Sequence, residues 1–261
     1  MLAGRLTSWL EAGAAVALVE IASVQGSAPR GVGAAMIVRE SGVHGTIGGG
    51  ALEALAIESA RAMLSAGEDE RSIDQPLGPD LGQCCGGRVV LSLRRATVAD
   101  AEAITAVESN ELAARPNVLI FGAGHVGGAL ARALAALPLA LTVVDSRSDW
   151  LLPLGEIARI VETPLPEAEV AAAPAGSAFV ILTYDHATDF LIAEAALARG
   201  DAAYVGMIGS ASKRAALAGR LRGAELSPDA LICPIGAEGP DNDLPEVIAL
   251  AAAAEISAAL L

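Results

Sequence analysis

The stretch VLIFGAGHVGG, residues 118–128, decides the fold of the second half of this chain. Its apolar start predicts a buried strand, and Gly122, Gly124 and Gly127 match the pattern G-x-G-x-x-G directly after it. The first glycine permits a tight turn, the second lets a pyrophosphate approach the backbone, and the third lets helix and strand pack closely. The pattern therefore predicts a strand, a glycine turn and a helix that begins near His125.

A carboxylate completes this predicted nucleotide-binding pattern. The segment LALTVVD, residues 139–145, predicts a second strand, and Asp145 ends it, 18 positions after Gly127. A carboxylate there can accept hydrogen bonds from both ribose hydroxyls, which favours NAD(H) over NADP(H), although Arg147 is close enough to weaken that preference. His125 either contacts a phosphate or caps the helix. The groove can equally be empty, bind another nucleotide or serve packing, and the residues leave these alternatives open.

The rest of the second half repeats the same rhythm of strands and helices. Strand-like segments alternate with helical ones in the order SAFVILT, a helix over 188–199, AYVGMIG, a helix from 211, ALICPIG and a helix from 245. This alternation is typical of right-handed βαβ units and a parallel sheet. Residues 116–261 are therefore predicted to form a Rossmann-like, nucleotide-binding domain.

The first half predicts a smaller α/β domain over residues 1–96. Apolar residues at helical spacing predict a helix from Ala51 to about Gly67, and the predicted strands are AAVALVEIAS, AMIVRE, VHGTI and RVVLSL. Two irregular, glycine-rich loops, GSAPRGVGA and GPDLGQCCGG, separate these elements. Residues 97–115 are acidic and rich in alanine, and they predict a linker helix that ends at Pro116.

The segment TIGGGALE places Gly48, Gly49 and Gly50 at the start of the helix in the first domain. Free amides and the helix dipole favour an anion there, and glycine lets a ligand come close to the backbone. Arg30 lies in a loop that can approach the same place and add positive charge. The alternative is a tight strand-to-helix turn in which Glu53 is only a helix cap and Arg30 is only an exposed side chain.

Two adjacent cysteines, Cys84 and Cys85, follow Gln83 in the second glycine-rich loop. Neighbouring amides stabilise a thiolate, so a thiol in such a loop can be exposed and reactive; the alternative is two small buried hydrophobic side chains. Adjacent cysteines without a second pair do not have the spacing of a zinc site. Cys233, within the apolar segment LICPIG, is predicted to be buried.

Composition argues against several classes of function. The chain has 261 residues, 53% of them hydrophobic, and a net charge of −14, so we expect packed cores and no binding to nucleic acid or to an anionic membrane. This net charge is compatible with a small local basic pocket. Three cysteines form no disulfide framework, and Glu11 and Glu20 interrupt any signal-peptide-like run. We therefore expect a reduced, cytoplasmic protein without a membrane span.

Together these segments resemble the xanthine dehydrogenase accessory protein family of the XdhC/CoxI type. The motifs cover nearly the whole chain in the expected order: GSAPRGVGAAMIV, GTIGGGALE, LGQCCGG, VLIFGAGHVG, VVDSR, YDHATD, YVGMIGSASKR and CPIG. The resemblance implies a maturation factor, rather than an enzyme, that binds molybdenum cofactor and holds it while its terminal sulfur is installed. It also implies transfer to an apo molybdenum hydroxylase such as xanthine dehydrogenase, a cysteine desulfurase as second partner, and a homodimer.

With such a cofactor as cargo, we hypothesise contacts to residues of the first domain. The residues expected around the phosphate or pterin edge of the cofactor are Arg30, Gly48, Gly49, Gly50 and Glu53. The residues expected at its polar or molybdenum-bearing end are Gln83, Cys84 and Cys85, with the two thiols as candidate metal contacts. The chain departs from the family pattern at Ala51, where many relatives carry cysteine. It departs again in AEGPDNDLPEV, which replaces the usual glycine-rich continuation after CPIG.

Two other functions are compatible with the residues. An NAD-dependent oxidoreductase would transfer hydride in the Rossmann-like half, with an acid or base supplied by Tyr184, Asp185 or His186 at a predicted strand end. A dimeric interaction module would use both glycine motifs only as turns. The cofactor-carrier interpretation differs from both because it requires a ligand in the first domain.

Overall fold

The computed structural model describes residues 1–78, 86–240 and 242–261, and the chain divides into two units, Met1–Ala113 and Ala114–Leu261. Each unit has its own sheet and its own buried clusters of apolar side chains. Because each core is complete within its unit, the two halves of the sequence specify two different architectures.

The first unit is an antiparallel sheet with helices on both faces. Its elements are α1 (Leu2–Glu11), β1 (Ala17–Gln25), β2 (Ala35–Arg39), β3 (Gly42–Gly45), α2 (Gly50–Ser65), β4 (Glu70–Pro76), β5 (Arg88–Arg95) and α3 (Val98–Ala113). The strands lie in the order β3-β2-β1-β5-β4, and every neighbouring pair is antiparallel. The centre of the sheet is therefore β1.

One face of this sheet packs against α2. Four side chains of α2 recur at helical spacing and are fully buried: Leu52, Ala56, Ala60 and Met63. They pack with the apolar residues of β1, β2 and β5 that point to the same face. This packing fixes α2 on the sheet and thereby fixes the position of its N-terminus, where the three consecutive glycines lie.

The opposite face packs against α1 and α3. Leu6 and Trp9 of α1 are buried together with Leu18 of β1. Glu108 of α3 accepts a hydrogen bond from the backbone amide of Leu2 at 2.6 Å, so its carboxylate caps the first turn of α1. The helix that the sequence analysis treats as a linker therefore packs within the first unit.

Two elements of the first unit are absent from the sequence prediction, α1 and β4. In β4 the segment ERSIDQP contains one large apolar side chain, Ile73, which is only half-buried. This strand lies at the edge of the sheet and pairs with β5 through its backbone. An edge strand needs little buried side-chain area, so the hydrophobic pattern gives little signal.

The second unit is a parallel sheet between two layers of helices. Its elements are β6 (Asn117–Phe121), α4 (His125–Leu134), β7 (Ala140–Asp145), α5 (Ser148–Leu151), a short 3₁₀ turn (Leu152–Leu154), β8 (Arg159–Glu162), α6 (Glu167–Ala172), β9 (Ala178–Ile181), α7 (His186–Arg199), β10 (Tyr204–Met207), α8 (Ala211–Gly223), β11 (Leu231–Ile232) and α9 (Pro245–Leu260). The strands lie in the order β11-β10-β9-β6-β7-β8, and all described pairs are parallel.

This strand order is that of a Rossmann fold, and the predicted fold class is confirmed. Helices α4 and α9 cover one face, and α6, α7 and α8 cover the other. The strand order reverses between β6 and β9, which creates a crevice at their carboxyl ends where ligands bind in such folds. Cys233 is buried, as predicted. Of the helices that the structure describes, none is both long and apolar enough to cross a bilayer.

Candidate functional site

The first candidate site is the triglycine turn, which joins β3 to α2. Gly48, Gly49 and Gly50 have φ values of +123°, +77° and +65°. Successive residues in this region of conformational space are accessible only to glycine at low cost. The three glycines therefore let the chain reverse sharply and begin α2 at Gly50.

The amides before and within the triglycine turn already have acceptors inside the chain. Oε2 of Glu53 accepts hydrogen bonds from the Thr46 hydroxyl at 2.6 Å, from the amide of Ile47 at 3.2 Å and from the amide of Gly49 at 3.1 Å. The amide of Gly48 donates to the Thr46 hydroxyl at 3.1 Å. Glu53 therefore acts as an internal anion that holds the turn in shape, in the manner of a helix cap.

Beyond these bonds, the outer side of the triglycine turn is open. A Cβ atom built on Gly49 would meet no heavy atom within 4 Å. The amides of Gly50 and Ala51 lie in the first turn of α2, where helix geometry provides no acceptor, and no described residue accepts from them. The turn thus combines open space with two amides that a ligand can use.

The structure brings Arg30 to the triglycine turn. A Cβ atom on Gly48 would lie 2.6 Å from Cβ of Pro29 and 3.4 Å from Cγ of Arg30, so the loop that carries Arg30 packs directly on this glycine. The Arg30 side chain is exposed. It forms no ion pair among the residues that the structure describes. A positive charge therefore lies beside the open side of the turn.

Gln83, Cys84 and Cys85 lie outside the described residues, and their roles stay predictions. The residue that follows Cys85 is placed: Gly86 forms a β-bridge with Ser27, in the loop that leads to Arg30. A Cβ atom on Gly87 would lie 2.0 Å from the carbonyl oxygen of Ser27, so only glycine allows this approach. One end of the cysteine-bearing segment is therefore anchored to the same loop as Arg30.

The second candidate site is the G-x-G-x-x-G turn between β6 and α4, and its three glycines have distinct environments. A Cβ atom on Gly127 would lie 1.8 Å from the carbonyl oxygen of Gly122, and one on Gly122 would lie 2.2 Å from the carbonyl oxygen of Leu182. A Cβ atom on Gly124, the N-cap of α4, would meet no heavy atom within 4 Å. Two glycines are therefore required by packing, and the middle one borders open space.

Asp145, the residue expected to bind ribose, is engaged within the protein. Its carboxylate accepts from the amide of Ala123 at 2.8 Å and from two nitrogen atoms of the Arg147 guanidinium at 2.9 and 2.7 Å. Burial alone would raise the pKa of Asp145, but the hydrogen bonds from Arg147 and Ala123 hold that pKa below its usual value. Ribose hydroxyls would have to displace Arg147 to reach this carboxylate.

Aromatic side chains surround the Arg147 guanidinium. Its Cζ atom lies 5.2 Å from the ring centroid of Trp150 and 4.8 Å from that of Tyr184. His125, the first residue of α4, is exposed and meets the edge of Trp150 with ring centroids 5.1 Å apart. A cavity at the carboxyl ends of β6, β7 and β9 lies beside this cluster, with Gly122, Asp145 and Tyr184 in its wall.

The candidate acid–base residues of the oxidoreductase hypothesis have other roles or no partner. Asp185 is the N-cap of α7, and its carboxylate accepts from the Thr188 amide at 2.8 Å and the Thr188 hydroxyl at 2.7 Å. These hydrogen bonds lower the pKa of Asp185, which disfavours a role as proton carrier near neutral pH. Tyr184 is 71% exposed and lies over Arg147. His186 is also exposed.

Comparison with known proteins identifies the family. A model of the XdhC Rossmann domain matches residues 118–256, more than half of the chain, and a model of the XdhC and CoxI family matches residues 9–74. The chain belongs to the XdhC and CoxI family.

Two relatives illustrate how far the similarity of this XdhC/CoxI family member extends. Over 90 residues it is 37% identical to the molybdenum cofactor insertion chaperone PaoD of Escherichia coli (strain K12). That segment is 33% of this chain and spans only 28% of PaoD. A crystal structure described as a xanthine dehydrogenase from Bacillus halodurans superposes with a TM-score of 0.78 at 17% identity, covering 98% of this chain and 95% of that one. At this identity the likeness shows the fold alone.

Sequence reasoning missed a buried ion pair in the Rossmann domain of this family member. Asp189 is fully buried and pairs with the ammonium group of Lys213, which also donates to the carbonyl oxygen of Ile208 at 3.0 Å. Asp189 accepts from the amide of Thr183 at 2.9 Å and from its hydroxyl at 2.7 Å. The pair joins α7 and α8 at the carboxyl ends of β9 and β10. Both residues lie in motifs quoted above, but only the fold shows that they meet.

The described residues were compared with the side-chain clusters that usually bind a metal ion. Within residues 1–78, 86–240 and 242–261, no group of three or more histidine, cysteine, aspartate or glutamate side chains could hold a metal ion.

Proposed function

We propose that this protein is an accessory protein that binds molybdenum cofactor in its first unit and delivers it to an apo molybdenum hydroxylase of the xanthine dehydrogenase type. The observation that carries the proposal is the triglycine turn, which has open space over Gly49, free helix amides and Arg30 beside it. The similarity to PaoD, a molybdenum cofactor insertion chaperone, supports the same class of cargo.

The open side of the triglycine turn fits the phosphate of the cofactor. The amides of Gly50 and Ala51, with the positive end of the α2 dipole, offer hydrogen bonds to its oxygens. The guanidinium of Arg30 can add a charge-assisted hydrogen bond from the side. Glu53 then has an indirect role: its carboxylate accepts hydrogen bonds from Thr46 and Gly49 and so holds the turn in the shape that binds the cofactor.

The predicted roles of Gln83, Cys84 and Cys85 extend this proposal to the metal end of the cargo. Their segment ends at Gly86, whose bridge to Ser27 ties it to the Arg30 loop. Cysteine thiolates are soft ligands that suit a sulfur-bound metal. The proposal therefore has the phosphate end at the triglycine turn and the molybdenum end toward the two thiols.

A carrier of this kind protects cargo and performs no bond-making step itself. A sulfurated cofactor in water is hydrolysed and oxidised, and a pocket that excludes water and oxygen slows both reactions. A cysteine desulfurase would supply the terminal sulfur while the cofactor is held. The client apo-enzyme would then take the cofactor because it binds more tightly. We also propose that the carrier works as a homodimer in the cytoplasm.

The second candidate function is nucleotide binding in the Rossmann unit, including NAD(H)-dependent hydride transfer. The observation in its favour is the open space at Gly124, at the N-terminus of α4, beside a cavity at the carboxyl ends of the strands. The engagement of Asp145 by Arg147 and the capping role of Asp185 weigh against hydride transfer. Carriage of the cofactor is therefore the function that the geometry supports best.

The test is retention of molybdenum cofactor through a desalting column by the full-length protein. We expect wild type to retain it and Gly49→Asp to lose at least about tenfold in affinity, because Asp adds a side chain and a negative charge where the phosphate belongs. Cys84→Ala should weaken retention if the thiol contacts the metal end. The matched control is Ala103→Asp, which adds the same charge at an exposed position of α3.

Two outcomes would contradict the proposal. The first is no retention by wild type together with tight NADH binding and turnover of a small carbonyl compound, which would favour the oxidoreductase. The second is equal retention by wild type and Gly49→Asp, which would place the cofactor elsewhere. Mass spectrometry of the small molecules that co-purify with the protein identifies the ligand independently.

A further inference from the structure

We propose a second anion-binding site in the first unit, which takes the phosphate group of a small molecule between Arg39 and Arg61. The site is a cavity of about 420 Å³ between the β2–β3 hairpin and the C-terminal end of α2. Besides the two arginines, the hydroxyl-bearing residues Ser41 and Ser65 line it. It goes beyond the proposed carrier function, because α2 separates it from the triglycine turn.

The Arg39 guanidinium is held in a fixed plane. Its Cζ atom lies 4.5 Å from the ring centroid of Trp9, which is a cation–π contact. A Cβ atom on Gly42 would lie 2.9 Å from Nε of Arg39 and 3.2 Å from the Trp9 ring, so Gly42 packs against both side chains. The guanidinium therefore lies against the Trp9 ring, with Gly42 beside both groups. A guanidinium held in this way is pre-organised for an oxyanion.

This guanidinium has hydrogen-bonding capacity that the described residues do not use. The Nε atom of Arg39 is buried and has no acceptor among them. None of the ion pairs formed by the described residues includes Arg39, although acidic residues outnumber basic ones by 31 to 17 in the chain. The terminal nitrogens of Arg39 form no hydrogen bond with the described residues either, and they are the donors that a ligand oxygen in the cavity could use.

Arg61 brings a second positive charge to the same cavity. Its Nε atom lies 3.4 Å from the carbonyl oxygen of Arg39 and donates to it. No described carboxylate pairs with Arg61. Both arginines line the same cavity, and a doubly charged anion bound there would be attracted by both charges. Two guanidinium groups and two hydroxyls also offer more donors than the two oxygens of a carboxylate need, which favours phosphate.

Two negative charges near the cavity oppose the binding of an anion, and both act more weakly on it than the positive charges of the two arginines. Glu40 lies at the cavity, but it is exposed, so solvent and salt screen its charge. The C-terminus of α2 carries only about half a negative charge. Its last carbonyl groups also accept capping hydrogen bonds, from Ala66 to Ala62 at 2.9 Å and from Gly67 to Leu64 at 3.2 Å.

The new site is independent of the triglycine turn. Arg61 follows Gly50 by eleven residues in α2, which corresponds to about 16 Å along the helix axis. A single phosphate cannot contact both ends. Substitutions at one site should therefore leave the other intact.

The experiment is calorimetric titration of the full-length protein with inorganic phosphate at constant ionic strength. We expect binding by wild type, and at least about tenfold weaker binding by Arg61→Gln and by Arg39→Gln, because each loses a charged hydrogen bond. The control is Arg132→Gln, which removes the same charge from an exposed residue of the second unit and should bind like wild type. Gly49→Asp should keep the phosphate binding that Arg61→Gln and Arg39→Gln lose, which separates this site from any phosphate bound at the triglycine turn.

Local fluorescence gives a second measurement. In a Trp150→Phe background the remaining tryptophan is Trp9, which contacts Arg39, so phosphate should change its emission in wild type and not in Arg61→Gln. Competition with glycerol phosphate distinguishes the sources: competition indicates the phosphate group of a larger molecule, and no competition indicates the free ion. Because Arg61 is exposed, Arg61→Gln should fold normally. Equal phosphate binding by wild type and Arg61→Gln, or none by wild type, overturns the proposal.

Discussion

The triglycine turn of the first unit and the G-x-G-x-x-G turn of the second both lead from a strand into a helix, and in both a carboxylate already binds the turn amides. In the first unit Glu53, from within the helix, binds Gly49. In the second unit Asp145, from the next strand, binds Ala123. Asp145 is buried and neutralised by Arg147, whereas Glu53 is half-buried and forms no ion pair among the described residues.

The two turns differ in why they need glycine. Gly122 and Gly127 are required by backbone atoms that leave no room for a Cβ atom. Gly49 has open space around it and needs glycine for its φ of +77°. A glycine turn therefore indicates a ligand more strongly where no packing contact explains the glycine. Gly124 of the second turn also borders open space, so what distinguishes the triglycine turn is the exposed Arg30 beside it.

The unfolding of each unit can be followed separately, because each unit contains one tryptophan. Trp9 lies in the first unit and Trp150 in the second, and the chain has two tryptophans in all. Replacing one with phenylalanine leaves a fluorescence probe for unfolding of the other unit.

The largest expected effect is that of Gly127→Ala. The added Cβ would lie 1.8 Å from the carbonyl oxygen of Gly122, so α4 must move away from β6. We expect the free energy of unfolding of the second unit to fall by about 3 kcal/mol or more. The control is Gly124→Ala, which meets no atom within 4 Å and should cost less than about 1 kcal/mol. If denaturant unfolding shows the same loss of unfolding free energy for Gly127→Ala and Gly124→Ala, then packing does not distinguish these two glycines.

The next effect is that of Asp145→Asn, which leaves Arg147 without its partner. We expect a loss of about 2 to 3 kcal/mol at neutral pH. The lowered pKa of Asp145 contributes stability above the unfolded-state pKa of about 3.9, and this stability is lost as the pH falls through the folded-state pKa. Acid unfolding of the second unit should therefore be less pH-dependent in the variant. An unchanged pH profile would contradict this account.

A smaller effect is expected for Glu53→Ala in the first unit. The change removes the acceptor of the Ile47 and Gly49 amides, so we expect the free energy of unfolding to fall by about 1 to 2 kcal/mol and the Gly49 amide to exchange faster. Glu53→Gln should restore part of the loss, since its carbonyl oxygen can accept the same bonds. Glu58→Ala, an exposed position of α2, is the control. Unaltered exchange at Gly49 would show that Glu53 does not hold the turn.

A loss of stability similar to that of Glu53→Ala is expected for Gly49→Ala. The alanine Cβ has room, so the cost comes from the backbone: φ of +77° with ψ of −172° is a conformation that other residues rarely adopt, which costs about 1 to 3 kcal/mol. If a ligand approaches the turn at Gly49, cofactor retention should fall much more than stability does. A variant that is less stable yet retains the cofactor fully would limit Gly49 to a conformational role.

The Rossmann architecture could be predicted because its signals are local. A buried strand, three spaced glycines and a helix follow one another within residues 118–134, and the strand ending at Asp145 comes next. The edge strand β4 gave a weak signal because few of its side chains are buried, whereas the helix α1 was missed although Leu6 and Trp9 are buried at helical spacing. The proximity of Arg30 to Gly48 was only an expectation from the sequence, since it depends on how a loop packs.

Other contacts depend on residues far apart in the chain. Nothing in the sequence pairs Asp189 with Lys213, or places the Arg39 guanidinium against the Trp9 ring. The sequence suggested that Asp145 was free for ribose, because no pattern tells which donors will surround a carboxylate. Arg147 is two residues away, but its guanidinium also lies against Tyr184, which comes from a distant segment.

The sequence by itself determined the alternation of strands and helices in the second half, the two glycine turns, the buried Cys233 and the family resemblance, because each depends on residues that are close together or on a motif. Only the tertiary structure decided that Glu53 and Asp145 already bind the turn amides and that Gly49 faces open space while Gly127 does not. Those properties depend on distances between atoms of different segments, and such distances exist only once the chain has folded.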